Sequence, residues 1–250
     1  MQSDAEIWQQ WLQWLPTAPL LDRPASAFAQ YRAERMRNGV SEAEANAQSA
    51  IISRMMRAET DGWRVLFNNI YSSPHPGFKT LPNALLMSAT AGRPAGRALD
   101  VSTGQGRNAV FLALQGWEVT ATDISDGGLE ATAQNGGRAG VHISTILQSN
   151  DNLNLGLAEW DLIVLTYVPV PLTSPDYVVR LHEALRPGGL VVVESFASNA
   201  DALGRRPVDI DPADLRQAFA GLQLLHFEDV TTMPDWENKE TRLVRLIAEK

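Results

Sequence analysis

Apolar positions along the chain fall into two regimes with different periods. Over residues 1–90 they recur every three or four positions, the spacing of helices with one buried face. Ser3, Asp4 and Glu6 open a helix whose face carries Trp8, Trp11, Leu12 and Leu15, and Pro16 closes it. A second helical stretch follows Pro24 and stops at Asn38-Gly39. Ser41 and Glu44 form a capping-box pattern ahead of Ala47, Ile51, Ile52, Met55 and Met56. A short helix around Trp63 to Ile70 gives way to the turn-forming run Ser72-Ser73-Pro74-His75-Pro76-Gly77. Residues 1–90 thus read as a helical N-terminal extension, either a layer packed on a core or also a lid over a ligand.

Beyond residue 95 the rhythm changes to short apolar strands alternating with helical patterns. Strands are expected at 97–102, 118–122, 143–148, 162–167 and 190–196. Between them lie helical patterns carrying Ala109, Val110, Ala113 and Leu114, then a glycine-weakened one at 129–134, then Tyr177, Val178, Leu181 and Leu185. Such alternation implies right-handed crossovers and a mostly parallel sheet covered on both faces. Asp211-Pro212-Ala213-Asp214 is a helix start leading to Leu215 and Phe219. Two strand-like runs follow, at 222–230 and 243–248, with no helix between them; they should pair antiparallel at one edge of the sheet. The expected division is 1–90 for the extension and 91–250 for an α/β domain.

Composition narrows the chemistry. The 250 residues include no cysteine, which excludes disulfide scaffolds, cysteine-ligated zinc, iron–sulfur clusters and thiol nucleophiles. No apolar run approaches the ~18 residues of a membrane span. The first basic residue is Arg23 and no early apolar core precedes it, so no signal peptide is expected and the default is a cytoplasmic protein. A formal net charge of −8 provides no global field for nucleic acid. Lys79, Lys239 and Lys250 are the lysines, and none follows a glycine-rich run, which removes the P-loop. The histidines His75, His142, His182 and His226 show no metal-ligand spacing, and no metal is expected.

The most informative stretch is Ala98-Leu99-Asp100-Val101-Ser102-Thr103-Gly104-Gln105-Gly106-Arg107-Asn108-Ala109, a strand, a glycine-rich turn and an amphipathic helix. The glycines allow a tight turn and a close backbone approach to a ligand. Gly104-x-Gly106-x-x-Ala109 alone also suits NAD, so an NAD-dependent oxidoreductase is a rival, although no Tyr-x-x-x-Lys pair is present. Asp100 stands near the end of the first strand, facing the ligand. Asp123 closes the second strand, where a carboxylate can accept hydrogen bonds from both hydroxyls of a ribose. Its structural alternative is capping of the next helix, which Ser125 could do equally well.

These residues resemble the class I S-adenosylmethionine-dependent methyltransferases over roughly residues 95–250. Leu99-Asp100-Val101 with Gly104-Gln105-Gly106-Arg107-Asn108 looks like that family's first motif, and Asp123 like its ribose acid. Trp160-Asp161-Leu162-Ile163-Val164 resembles its fourth-strand motif, and Leu185-Arg186-Pro187-Gly188-Gly189-Leu190 the turn before its fifth strand. The Gly-Arg-Asn variant and the preceding Pro82-Asn83-Ala84-Leu85-Leu86 are similar to the tellurite-resistance and thiol methyltransferase branch. At Ser102-Thr103 the chain departs from the family's frequent Gly-Cys.

The resemblance implies a Rossmann-like, doubly wound, seven-stranded sheet with an antiparallel C-terminal pair. It also implies S-adenosylmethionine as donor and S-adenosylhomocysteine as product. Donor contacts are then expected from Asp100, Ser102, Gly104, Gly106, Arg107, Asn108, Asp123, Ile124 and Thr166. Of Ser149, Asn150 and Asp151, spacing leaves open which one reaches the adenine amino group.

Methyl transfer is an in-line displacement that depends on positioning and desolvation. Acceptor contacts are expected from Thr166-Tyr167-Val168-Pro169, the loop after the fifth strand and the N-terminal helices. Tyr167 and His75 are the candidate catalytic side chains, His75 with an unperturbed pKa of ~6.5. Arg205-Arg206 could bind an anionic acceptor. The absence of an Asn/Asp-Pro-Pro-Tyr run at the fourth-strand end, with the acidic charge, favours a small-molecule acceptor over nucleic acid. The Trp8/Trp11/Leu12 face is expected as part of the acceptor cover or at a homodimer contact. A donor-binding module without turnover is the non-enzymatic alternative.

Overall fold

A computed structural model describes residues 2–73, 76–198, 208–235 and 239–250. They form two compact units: Met1–Phe78 with Ile124–Gly128, and Lys79–Asp123 with Leu129–Lys250.

The first unit is helical: α1 (Asp4–Trp14), α2 (Pro24–Arg37), α3 (Glu42–Ala58) and α4 (Thr60–Tyr71). Ser3 and Glu6 close a full capping box on α1, with the Glu6 carboxylate accepting the Ser3 N–H at 2.7 Å. Ser41 accepts the Glu44 N–H at the start of α3. The tryptophan face of α1 is consumed inside this unit. Trp11 stacks on Trp14 and Phe28 at 5.4 and 5.2 Å and meets Tyr31 edge-on at 5.2 Å. Trp8 lies over Gly62 so closely that a Cβ there would sit 2.4 Å from its ring. The buried Asn69 amide accepts from Leu21 N–H and donates to the Leu15 carbonyl, both at 3.0 Å, satisfying backbone that the bend after α1 leaves open. Asn68 on α4 holds the second piece of the unit: its carbonyl accepts from the Ser125 hydroxyl at 2.7 Å and the Gly127 N–H at 3.1 Å.

The second unit contains α5 (Ala84–Thr90), β1 (Arg97–Val101), α6 (Arg107–Leu114), β2 (Glu118–Asp123), the greater part of α7 (Asp126–Arg138) and β3 (Ser144–Leu147). β4 (Trp160–Thr166), α8 (Pro175–Ala184), β5 (Leu185–Ala197), β6 (Asp209–Ile210), α9 (Pro212–Ala218), β7 (Gln223–Thr232) and β8 (Thr241–Glu249) complete it. The strand order is β3-β2-β1-β4-β5-β8-β7, and β6 adds to β5 off this path. The first five strands run parallel, and β8 is antiparallel to both β5 and β7. This is the expected doubly wound Rossmann-like sheet with its antiparallel terminal pair.

Alternation along the strands sorts the core into two layers. Leu99, Val101, Ile163, Leu165, Val191 and Val193 face Val178, Leu181, Leu215 and Phe219 of α8 and α9 and their flanks. Ala98, Leu162, Val164, Leu190 and Val192 face Leu85, Leu86, Ala109 and Leu112 of α5 and α6. Among the described residues no helix is long and apolar enough to cross a membrane.

Four local expectations differ from the structure. β4 begins at Trp160 and ends at Thr166, leaving Tyr167 outside it. β5 starts at Leu185, opposite Trp160, so the Arg186-Pro187-Gly188-Gly189 turn lies inside a strand whose pairing shifts register there. The buried face of α6 is Asn108, Ala109 and Leu112, while Leu114 is exposed: the helix begins two residues earlier than its apolar positions suggest. Two-residue β6 carries no periodic signal at all.

Candidate functional site

The face of the sheet beneath α5 and α6 changes character at its carboxyl edge. On β2 the apolar positions Val119 and Ala121 are followed, two residues on, by Asp123, and on β1 Ala98 is followed by Asp100. On β4, Leu162 and Val164 lead to Thr166; on β5, Leu190 and Val192 lead to Glu194. Thr166 and Glu194 are register partners, and Glu194 pairs in turn with Arg245 on β8. Period-two geometry therefore places a polar row across the sheet on one face, at the end where open α/β sheets bind ligands.

The strand order reverses between β1 and β4, and each of these strands is followed directly by a left-handed residue that is not glycine. Ser102 has φ +55° and Tyr167 φ +57°. Such conformations cost of order 1–3 kcal/mol and persist where the surroundings enforce them. The Ser102 hydroxyl is paired with the Asn150 side chain, whose amide donates to it at 3.0 Å. Tyr167 is gripped at both ends by Glu194: its N–H donates to the Glu194 carbonyl at 2.8 Å and its phenol to the Glu194 carboxylate at 2.5 Å.

Between β1 and α6 the glycine loop follows the sequence expectation. Gly104 and Gly106 both have positive φ, +59° and +81°. Gly104 donates its N–H to the Asp123 carboxylate at 2.8 Å, and its carbonyl accepts from Thr132 at 2.9 Å. A Cβ on Gly106 would stand 2.8 Å from the Thr132 side chain. Gly106→Ala is therefore expected to cost about 1–3 kcal/mol, through strain at positive φ and this clash, measured as a lowered Tm.

Asp100 lies beneath the loop and is buried. Burial pushes its carboxyl up to about 6 and Asp123 adds to the rise, while the Thr103 hydroxyl at 2.6 Å and Arg107 act in the opposite sense. Two buried carboxylates on one side of a glycine loop fit a ligand that brings positive charge and a pair of hydroxyls. A sulfonium nucleoside carrying an ammonium group has both.

The other expected residues are placed as follows. Asn108 accepts the Asn83 N–H at 2.9 Å and donates to the Thr166 hydroxyl at 3.1 Å. The Arg107 guanidinium is engaged by the carbonyls of Leu81 and Asp235, both at 3.2 Å, so its hydrogen bonds serve the surrounding backbone. After β3, Ser149 and Asp151 pair with each other, the hydroxyl donating at 3.2 Å, while Asn150 turns to Ser102. Ile124 belongs to the segment grouped with the first unit. His75, Arg205 and Arg206 lie outside the described residues.

Sequence reasoning passed over Glu194, Arg245 and Asp235. Glu194 has no exposure; its carboxylate accepts from Tyr167, from the Asn83 amide at 2.8 Å and from Arg245 at 2.6 Å. Arg245 also donates to Glu228 at 3.0 Å. The signal was a lone acid closing the apolar run Leu190-Val191-Val192-Val193-Glu194, on the same face of the sheet as Asp100 and Asp123. Burial and the Glu194 carboxylate hold the Tyr167 phenol far above its ordinary pKa.

Comparison with known proteins bears on the family and the fold. Residues 98–189 match the family described as "Methyltransferase domain". The chain is 28% identical over 138 residues to the probable S-adenosyl-L-methionine-dependent methyltransferase TehB of Haemophilus influenzae, covering 53% of this chain and 48% of that protein. It is 26% identical over 155 residues to Hemagglutinin 1 of Eikenella corrodens, covering 60% of this chain and 51% of that one. The chain thus spans about half the length of the curated relatives it matches. The crystal structure of H. influenzae TehB superposes with a TM-score of 0.59 at 18% identity, over 75% of this chain and 66% of TehB. The 1,6-didemethyltoxoflavin-N1-methyltransferase of Burkholderia thailandensis, solved with bound 1,6-didemethyltoxoflavin and S-adenosylhomocysteine, superposes at 0.53 and 20% identity, over 79% and 88% of the two chains.

Proposed function

We propose that this chain, which belongs to the class I S-adenosylmethionine-dependent methyltransferases near the TehB branch, passes a methyl group to a small-molecule acceptor by in-line displacement. The observation that carries the reading is the glycine loop set directly on Asp123 with Asp100 buried beneath it. Bound S-adenosylmethionine supplies an electrophilic methyl on a sulfonium, and the chain's residues hold and orient the reactants.

In this reading Asp123 accepts the ribose hydroxyls while keeping Gly104 in place. Asp100 faces the amino group, and Gly104 and Gly106 border the methionine part. Ser149, Asn150 and Asp151 lie on the adenine side. Thr166 and Tyr167 face the acceptor. Tyr167 does not serve as a base, because its phenol already donates to Glu194 and its pKa is raised. Its oxygen can orient an acceptor by receiving a hydrogen bond. The small-molecule assignment is supported by Thr166-Tyr167-Val168-Pro169, which lacks the Pro-Pro-Tyr run, and by the net charge of −8.

The test is calorimetric titration with S-adenosylhomocysteine, with NADH as the control. Binding of the former alone is expected. Binding of NADH alone would overturn the reading of the glycine loop. Turnover is then followed as S-adenosylhomocysteine release over a panel of thiols, amines and phenols; binding without release across the panel would favour a non-catalytic module.

A further inference from the structure

Asn83, the second residue of the Pro82-Asn83-Ala84-Leu85-Leu86 motif, is fully buried and lies outside every donor or acceptor role assigned above. Its side chain and its backbone N–H make hydrogen bonds in four directions. Its side-chain carbonyl caps α5 by accepting the Leu86 N–H at 3.0 Å. Its backbone N–H donates to Asn108 on α6, at 2.9 Å, and Asn108 continues to Thr166. Its amide nitrogen bridges two carboxylates, Glu194 at 2.8 Å and Asp235 at 3.0 Å.

Each partner controls a different part of the site. Asn108 sits in the first turn of α6, directly after the glycine loop. Glu194 holds Tyr167 at its backbone and its hydroxyl. Asp235, in the loop between β7 and β8, also accepts the Ala84 N–H at 2.9 Å, and its carbonyl takes Arg107 of α6. Lys79 donates to the neighbouring Pro234 carbonyl at 3.1 Å, and Gln105 of the glycine loop donates to the Lys79 carbonyl at 3.2 Å. A helix cap alone requires only an oxygen at this position, which serine or aspartate supplies. The amide is the group whose N–H donors can join two acids while its oxygen performs the cap.

We propose that Asn83 is a positioning residue for methyl transfer, locking the donor side of the site (Asn108 and the glycine loop) to the acceptor side (Glu194 and Tyr167). The proposal rests on the donor and acceptor sides assigned under the proposed function. Its consequence is that the two sides move together: loosening Asn83 disturbs both, although it touches neither ligand.

The discriminating variant is Asn83→Ser, which keeps the helix cap and loses the bridge between the two carboxylates. Leu86→Ala, in the core beneath the same helix, is the control for destabilisation without loss of the network. Binding of S-adenosylhomocysteine is measured by calorimetry at a temperature where all variants are folded. The Tyr167 phenol is followed by NMR with ring-labelled tyrosine, assigned through Tyr167→Phe. Asn83→Ser is expected to weaken binding about ten-fold and to shift the Tyr167 signal. Leu86→Ala should lower Tm but leave both within about twofold of the parent. Unchanged affinity in Asn83→Ser, equal weakening in Leu86→Ala, or weakened binding with an unmoved Tyr167 signal would each overturn the proposal. If Asn83→Ser does not fold, Asp235→Ala decides, since Asp235 is only half-buried. It should weaken binding about threefold and shift Tyr167, and parental behaviour in both readouts rejects the link. Failure of the parent chain to bind S-adenosylhomocysteine would instead count against the donor assignment.

Discussion

Replacing Asp123 by alanine is expected to weaken S-adenosylhomocysteine binding about 100-fold while leaving the chain folded. Hydrogen bonds to a charged group contribute roughly 1.5–3 kcal/mol each, and about 1.4 kcal/mol corresponds to a factor of ten in affinity. In the proposed reading alanine removes the acceptor for the ribose hydroxyls, and it releases the Gly104 N–H from its partner at 2.8 Å. The second loss also loosens the loop that the donor contacts. Stability should fall by only about 1 kcal/mol, because Asp123 closes β2 and no core side chain moves. Calorimetry gives the affinity and a circular dichroism melt the stability. An unchanged dissociation constant would reject the ribose role, and an unfolded variant would mean that Asp123 is a structural cap.

Asp100→Asn is expected to change stability in the opposite sense: a more stable protein that still binds its donor less well. The Asp100 carboxyl titrates at about 6 in the folded chain against an ordinary value of 3.8, chiefly because it is buried. Between those two values the folded state binds a proton that the unfolded state has released, so stability falls as pH rises through this window and is level above it. One pKa unit corresponds to about 1.4 kcal/mol, so the buried charge costs up to ~3 kcal/mol at neutral pH. Asparagine removes that charge and keeps an oxygen to accept from Thr103. At pH 8 its Tm should be about 5–10 °C higher, with the advantage shrinking as pH falls towards 4. Donor affinity should drop about ten-fold through loss of the charge opposite the amino group. A Tm at pH 8 below that of the parent would show that the carboxylate stabilises the fold.

The sheet was legible in the sequence because its strands are apolar runs separated by helices, a pattern that packing reinforces. The glycine loop was legible because Gly104 and Gly106 adopt positive φ where a side chain would be strained. Asp100 and Asp123 stood out as acids at strand ends. Glu194 also closes an apolar run, inside β5, and was passed over because its partners lie far along the chain: Asn83 is 111 residues away and Arg245 is 51. Local periodicity carries no information about such closures; the register between β5 and β8 brings Arg245 to Glu194, and the cap of α5 brings Asn83. The extent of β5 was misread for a related reason. Pro187 and the two glycines look like a turn, yet Leu185 pairs with Trp160 before the register shifts. Tyr167 was read as part of β4, and its left-handed backbone depends on Glu194, which β5 brings to it.

The polar row is only one residue deep on each strand, and this divides labour within the sheet. Val164 and Val192 stand two positions from Thr166 and Glu194 and belong wholly to the core. Inheritable change can therefore act on two nearly separate sets of positions. Drift at the apolar positions retunes thermal tolerance without altering what the crevice recognises. Replacements along the terminal row alter the polar edge without emptying the core beneath. A scaffold organised in this way can admit change at its polar edge by small steps, since each strand presents one position for trial while its interior keeps the fold intact.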